Sequence, residues 1–97
     1  MMRRAAKTDA NQRQIVTALR EIGASVQSLA GVANGCPDIA VGFRGRTFLL
    51  ELKDGGKCAS ARRLTPAQTQ WHLSWRGGVS VVTDVDSALR AIGVTVR

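Results

Sequence analysis

Ninety-seven residues, 44% of them hydrophobic, are enough for one packed domain and too apolar for a disordered chain, but they cannot fill two cores. Fourteen basic residues against seven acidic ones leave a formal charge of +7, which favours a polyanionic partner. No apolar run nears the ~20 residues of a membrane span, and no apolar stretch follows the basic start, so neither an anchor nor a secretory leader is expected. A soluble, cytoplasmic protein follows from this reading, with residues 1–8 as a fraying basic arm ahead of one domain that takes up the rest of residues 1–97. Cys36, Cys58 and the lone His72 supply neither a disulfide framework nor a zinc set, and both thiols read as passive.

In chain order, the first helix is predicted from about Asp9 to Ile22. Thr8 or Asp9 can cap it, Ile15, Leu19 and Ile22 share one face, and Gly23 stops it. Ser25 to Leu29 reads as a short strand and Gly31 to Gly35 as loop. Two β-prone runs then flank Arg44-Gly45, a dipeptide suited to a tight hairpin. With that dipeptide as the turn, Phe43 pairs with Arg46 and Asp38 stands opposite Glu51. One face then carries Ile39, Val41, Phe43, Phe48, Leu50 and Leu52. The other carries Asp38, small Ala40 and Gly42, and then Thr47, Leu49, Glu51 and Lys53. Residues 54–64 read as a basic, glycine-rich loop. Thr65-Pro66-Ala67-Gln68 is a helix start with a capping box and proline in the first turn, and the helix should run to about Arg76. Val79 to Val82 is a fourth strand, and Asp84 caps a last helix from Val85 to Ile92, closed by Gly93. The predicted order is α-β-β-β-α-β-α, an α/β (α+β) fold with a mixed sheet flanked by helices.

Two carboxylates opposed across a hairpin repel unless something positive lies between them. A divalent cation meets that need. All-oxygen ligands favour Mg²⁺, with Mn²⁺ as a substitute, and Asp38, Glu51 and the backbone carbonyl of Leu52 would be sufficient protein ligation. Lys53, on the same face as Glu51, could orient a water or steady developing negative charge. The plainer alternative is an exposed ion pair at a strand end, of the kind common on surfaces.

Pro37-Asp38, a hairpin, and then Glu51-Leu52-Lys53 resemble the PD-(D/E)xK nuclease signature. The N-terminal helix, the Gly35-Cys36-Pro37-Asp38 entry and the Leu64-Thr65-Pro66-Ala67-Gln68 helix start extend that resemblance to the compact VRR-NUC branch found in phages and prophages. The resemblance implies a restriction-endonuclease-like core, Mg²⁺ or Mn²⁺ dependence and hydrolysis of DNA phosphodiester bonds. It also implies likeness to Holliday junction resolvases, which act as homodimers on branched DNA. Many relatives carry a glutamate in the first helix; Gln12 stands at the equivalent position here, which points to one firmly bound ion. Glu21 reads as a solvated surface residue. Gln68 has two readings, as a capping residue and as a glutamine reaching the site. Trp71 and Trp75, one helical turn apart, read first as core or dimer packing and second as a stacking platform.

Lys57, Arg62 and Arg63, just after the active-site strand, are the first candidates for gripping phosphates. Arg13 in the first helix, Arg44 and Arg46 in the hairpin, and Arg3, Arg4 and Lys7 at the start are further ones. None implies base reading. The resulting expectation is a homodimeric, metal-dependent endonuclease acting on branched DNA. The alternatives are a weakly active or inactive nuclease-derived DNA-binding module and an RNA nuclease on a related fold.

Overall fold

A computed structural model describes residues 10–96. The proposed caps Thr8 and Asp9 and the basic residues Arg3, Arg4 and Lys7 lie outside the described residues. Four helices and four strands follow in the order α1 (Ala10–Glu21), β1 (Ser25–Ser28), β2 (Ile39–Phe43), β3 (Arg46–Leu52), α2 (Ala59–Arg62), α3 (Pro66–Ser74), β4 (Ser80–Val82) and α4 (Val85–Ala91). The sheet order is β1-β2-β3-β4; the first two pairings are antiparallel, and β3 and β4 run parallel. The chain therefore forms a mixed sheet flanked by helices, as expected. No described helix is long and apolar enough to cross a membrane.

The hairpin register is the one the alternation demands: Phe43 pairs with Arg46, Val41 with Phe48 and Ile39 with Leu50. Arg44 and Gly45 both take positive φ, 53° and 78°. That combination is the type I′ turn, whose twist matches the strands it joins. The guanidinium of Arg44 lies 4.8 Å from the Phe43 ring centre and that of Arg46 lies 5.4 Å from Phe48.

One sheet face buries Ile39, Val41, Leu50 and Val82 against Ile15 and Leu19 of α1 and Ala88 of α4. Side chains alternate along a strand, so Glu51 points to the other face. There it meets α3, which therefore packs on the side away from α1 and α4.

Three details depart from the sequence reading. A single helical turn, α2, interrupts the loop expected over residues 54–64. The α3 helix stops at Ser74, two residues short, with Trp75 as an extended C-cap. Trp71 and Trp75 do stack, with ring centres 4.7 Å apart, but Trp75 is exposed and α3 buries no residue, so they are not core. The apolar face of β2–β3 had already claimed the core, and α3 turns its polar side chains toward the sheet.

Candidate active site

Asp38 lies one residue before β2 yet is fastened on both sides. Its N–H donates to the Leu50 carbonyl (3.1 Å), and its own carbonyl accepts from the Leu29 N–H (2.8 Å). Its carboxylate Oδ2 accepts from the Leu52 N–H at 2.7 Å, across the open end of the hairpin. In an extended strand the N–H and C=O of one residue point the same way. The Leu52 carbonyl therefore faces the Asp38 side, while the Lys53 N–H turns to the Val82 carbonyl on β4 (2.9 Å).

Glu51 is only 1% exposed, far more buried than an ion pair at a strand end would be. Its Oε2 accepts from Gln68 Nε2 at 3.2 Å. Burial first, and then the hydrogen bond with Asp38 and the charge of Asp38, push its carboxyl up to about 8, while Lys53 pulls the other way. The two acids thus sit in contact, and without a cation beside it Glu51 gives up its proton less readily than an ordinary carboxyl. The same charges, after burial, also raise the Cys36 thiol.

Gln68 fills both of its expected roles at once. Its Oε1 accepts from the Thr65 N–H (2.8 Å), closing the capping box, and also from Lys53 Nζ (2.8 Å), while its Nε2 holds Glu51. The start of α3 is positioned from the opposite side by Gly35, which has φ +82°. A Cβ there would lie 2.2 Å from the Ala67 carbonyl oxygen. Gly35→Ala should therefore lose about 2–5 kcal/mol through backbone strain and forced separation. Urea denaturation would register the loss, and a change below about 1 kcal/mol would refute this account of the loop–helix contact.

Access runs along a cleft of about 360 Å³ between the loop before β2 and the start of α3, lined among others by Gly35, Cys36, Asp38, Thr65 and Gln68. Gln12 lines a cleft of about 350 Å³ together with Arg13, Ser28 and Ile39, the residue after Asp38. Its neighbour Asn11 reaches the end of β3, where its Nδ2 donates to the Lys53 carbonyl (3.1 Å) and the Thr83 carbonyl (3.3 Å). Two residues near the site went unmarked in the sequence: Asn11, and His72, whose Nε2 lies 3.7 Å from Glu51 Oε1. The spacing of Gln68 and His72, four residues apart on one helix, was the signal for the second. Glu21 is exposed, in keeping with a solvated role.

Lys57, Arg62 and Arg63 are exposed just beyond the site, and Arg62 Nε braces the Lys57 carbonyl at 3.0 Å. Arg13 is exposed on α1. Arg44 and Arg46 occupy the far end of the hairpin, about 17 Å from Asp38 along the strand.

A solved structure described as a VRR_NUC domain has this architecture, with a TM-score of 0.63 and 24% sequence identity over 84% of this chain and 88% of that one. The chain has the VRR_NUC fold. The sequence matches no family model and no curated protein. In this VRR_NUC fold, strand pairing brings Asp38, Glu51 and Lys53 to one end of the hairpin, and α3 adds Gln68.

The donor set fits a hard dication. Among the described residues no three His, Cys, Asp or Glu side chains form a ligand cluster. The two touching carboxyls nevertheless carry the negative charge, the Leu52 carbonyl faces the same side, and Glu51 Oε1 is buried without a hydrogen-bond partner. Mg²⁺ keeps several waters and needs no more protein ligands than these.

Proposed function

We propose that this chain is a divalent-metal-dependent endonuclease that hydrolyses DNA phosphodiester bonds, on branched or structured DNA and as a homodimer. The observation that carries the reading is the meeting of the buried Glu51 carboxyl with that of Asp38, and with the ammonium of Lys53 through Gln68, on a VRR_NUC fold. Asp38, Glu51 and the Leu52 carbonyl would hold Mg²⁺, or Mn²⁺ in its place. Bound there, the ion would neutralise the acids and supply Lewis acidity toward a phosphodiester oxygen.

The chain's own groups account for the remaining requirements. Asp38 is kept in line by the Leu52 N–H, which orients its carboxylate for ligation. Lys53 Nζ, steadied by Gln68 Oε1, can donate to a phosphoryl oxygen as charge develops, or orient the attacking water. Gln68 thereby links the lysine to Glu51. Lys57, Arg62 and Arg63 would grip the flanking phosphates, with Arg13, Arg44 and Arg46 farther out, giving shape-directed binding that weakens with salt. A domain this small offers little surface to enclose a junction alone, and two copies on a twofold axis would cut both strands symmetrically.

The test is a panel of linear, nicked, flapped and four-way DNA with Mg²⁺, Mn²⁺, Ca²⁺ or EDTA. Cutting with Mg²⁺ or Mn²⁺ that stops with EDTA, and is greatest on branched forms, is the expected result. Cutting that survives EDTA would overturn the metal-dependent reading. The family resemblance also supports a second reading, a DNA-binding module with little activity: it implies a glutamate where Gln12 brings no charge. Tight junction binding with no cleavage under any of the metals would decide for it.

A further inference from the structure

Glu51 Oε1 and His72 Nε2 face each other at 3.7 Å, and both atoms are buried without a hydrogen-bond partner. A buried donor and a buried acceptor left apart each cost about 1–3 kcal/mol, so the arrangement is unfavourable as it stands. Closing the gap to an ordinary hydrogen bond needs a movement of about 0.7 Å. Gln68 and His72 lie one helical turn apart on α3, and Gln68 already holds the other oxygen of Glu51. The neighbouring Trp71 ring packs edge-on against the imidazole, with centres 5.9 Å apart, and limits its rotation.

We infer that His72 is a positioning residue: its Nε2–H donates to Glu51 Oε1, so that α3 grips both oxygens of the carboxylate and fixes its orientation toward the dication. The inference rests on reading Asp38 and Glu51 as the dication site. A carboxylate held at one oxygen can rotate about its last bond. Held at two, it presents a fixed edge to the ion, which is how outer partners of metal ligands act. The helix carrying Gln68 and His72 also lines the access cleft through Thr65, Ala67 and Gln68. Glu51 is thus oriented by the same element that shapes the approach to it.

The experiment measures Mn²⁺ binding to the full chain, from the electron paramagnetic resonance signal of the free ion, for wild type, His72→Leu, His72→Gln and Glu51→Gln. His72→Leu keeps apolar bulk without a donor and should weaken Mn²⁺ binding about 10–100-fold. His72→Gln returns an N–H donor and should recover most of that loss. A purely structural role would not separate the two variants in this way. The chain has a single histidine, so a long-range proton–nitrogen spectrum of wild type reads its tautomer directly, and the Nε2–H form is expected. That measurement needs no variant and can refute the inference even where His72→Leu does not fold. Binding by His72→Leu within twofold of wild type, or an Nδ1–H tautomer, would overturn the inference. Loss of Mn²⁺ binding in Glu51→Gln alongside an unaffected His72→Leu would sink the role of His72 alone. Wild-type binding by Glu51→Gln would sink the dication site itself, and the inference with it.

Discussion

Glu51→Gln should lower DNA cleavage by on the order of 10³-fold or more while leaving the chain folded. The amide matches the carboxylate in volume, so the packing between β3 and α3 is kept. What disappears is the negative charge that, with Asp38, would hold a dication. The Gln68 Nε2 donor can still meet an amide oxygen at the position of Oε2, so no new unpaired group is forced on that side. Lys53→Ala should cost about 10²–10³-fold, because it removes charge stabilisation without emptying the metal ligand set. Both variants should bind four-way DNA nearly as wild type does, since the phosphate-gripping side chains lie outside the pair. Single-turnover cleavage and gel-shift titration measure the two quantities separately. Cleavage by Glu51→Gln within tenfold of wild type would reject the assignment of the site.

The second large effect is on stability and its dependence on pH. In the unfolded chain Glu51 loses its proton near 4.5, whereas in the fold its carboxyl is pushed up to about 8 by burial and by Asp38. Between those values the native state holds a proton that the unfolded state has released. The contribution of Glu51 to stability is therefore complete below about pH 4.5 and is lost progressively as the pH rises through about 8. The loss should amount to a few kcal/mol in metal-free protein. Asp84 acts in the opposite direction: Ser87, through its backbone N–H and its hydroxyl, lowers the Asp84 carboxyl, so that contribution is present at neutral pH and disappears in acid. The two components fall in different pH ranges and can be told apart. Subtracting the profile of Glu51→Gln isolates the first, measured by urea denaturation in EDTA from pH 5 to 9. Added Mg²⁺ should flatten the difference, because ligation requires the proton to leave and the ion repays the charge. A difference profile that is level across this range without metal would show that Glu51 does not carry a raised affinity for its proton.

Much of this arrangement was legible in the residues themselves. Arg44-Gly45 permitted a tight turn whose twist suits a hairpin, and the turn set the register. Period-two alternation then put Asp38 and Glu51 at the same end of the hairpin, with Glu51 and Lys53 on one face, and the pairing runs in that register as far as Ile39 and Leu50. Thr65-Pro66-Ala67-Gln68 and Asp84 announced two helix starts for local reasons, since capping is a contact between near neighbours in sequence. Even the double duty of Gln68 could be named as a choice between two roles, though not that one oxygen would serve both.

Contacts between distant segments were decided by packing. Sequence patterning says which face of β3 bears Glu51, but not that α3 closes over that face and removes the carboxyl from water; that depth of burial is what raises its proton affinity. The same closure placed His72 against Glu51, and it left Trp71 and Trp75 outside the core, one of the two packings expected for them. Asn11 came to reach the Lys53 carbonyl because the rotation of α1 is set by Ile15 and Leu19 buried against the sheet. Periodicity constrains each strand and helix about its own axis, and short-range hydrogen bonds mark their ends. The angle and depth at which α3 meets the sheet depend on shape complementarity summed over both surfaces, including the close approach of Gly35 to Ala67, and no local pattern encodes that sum.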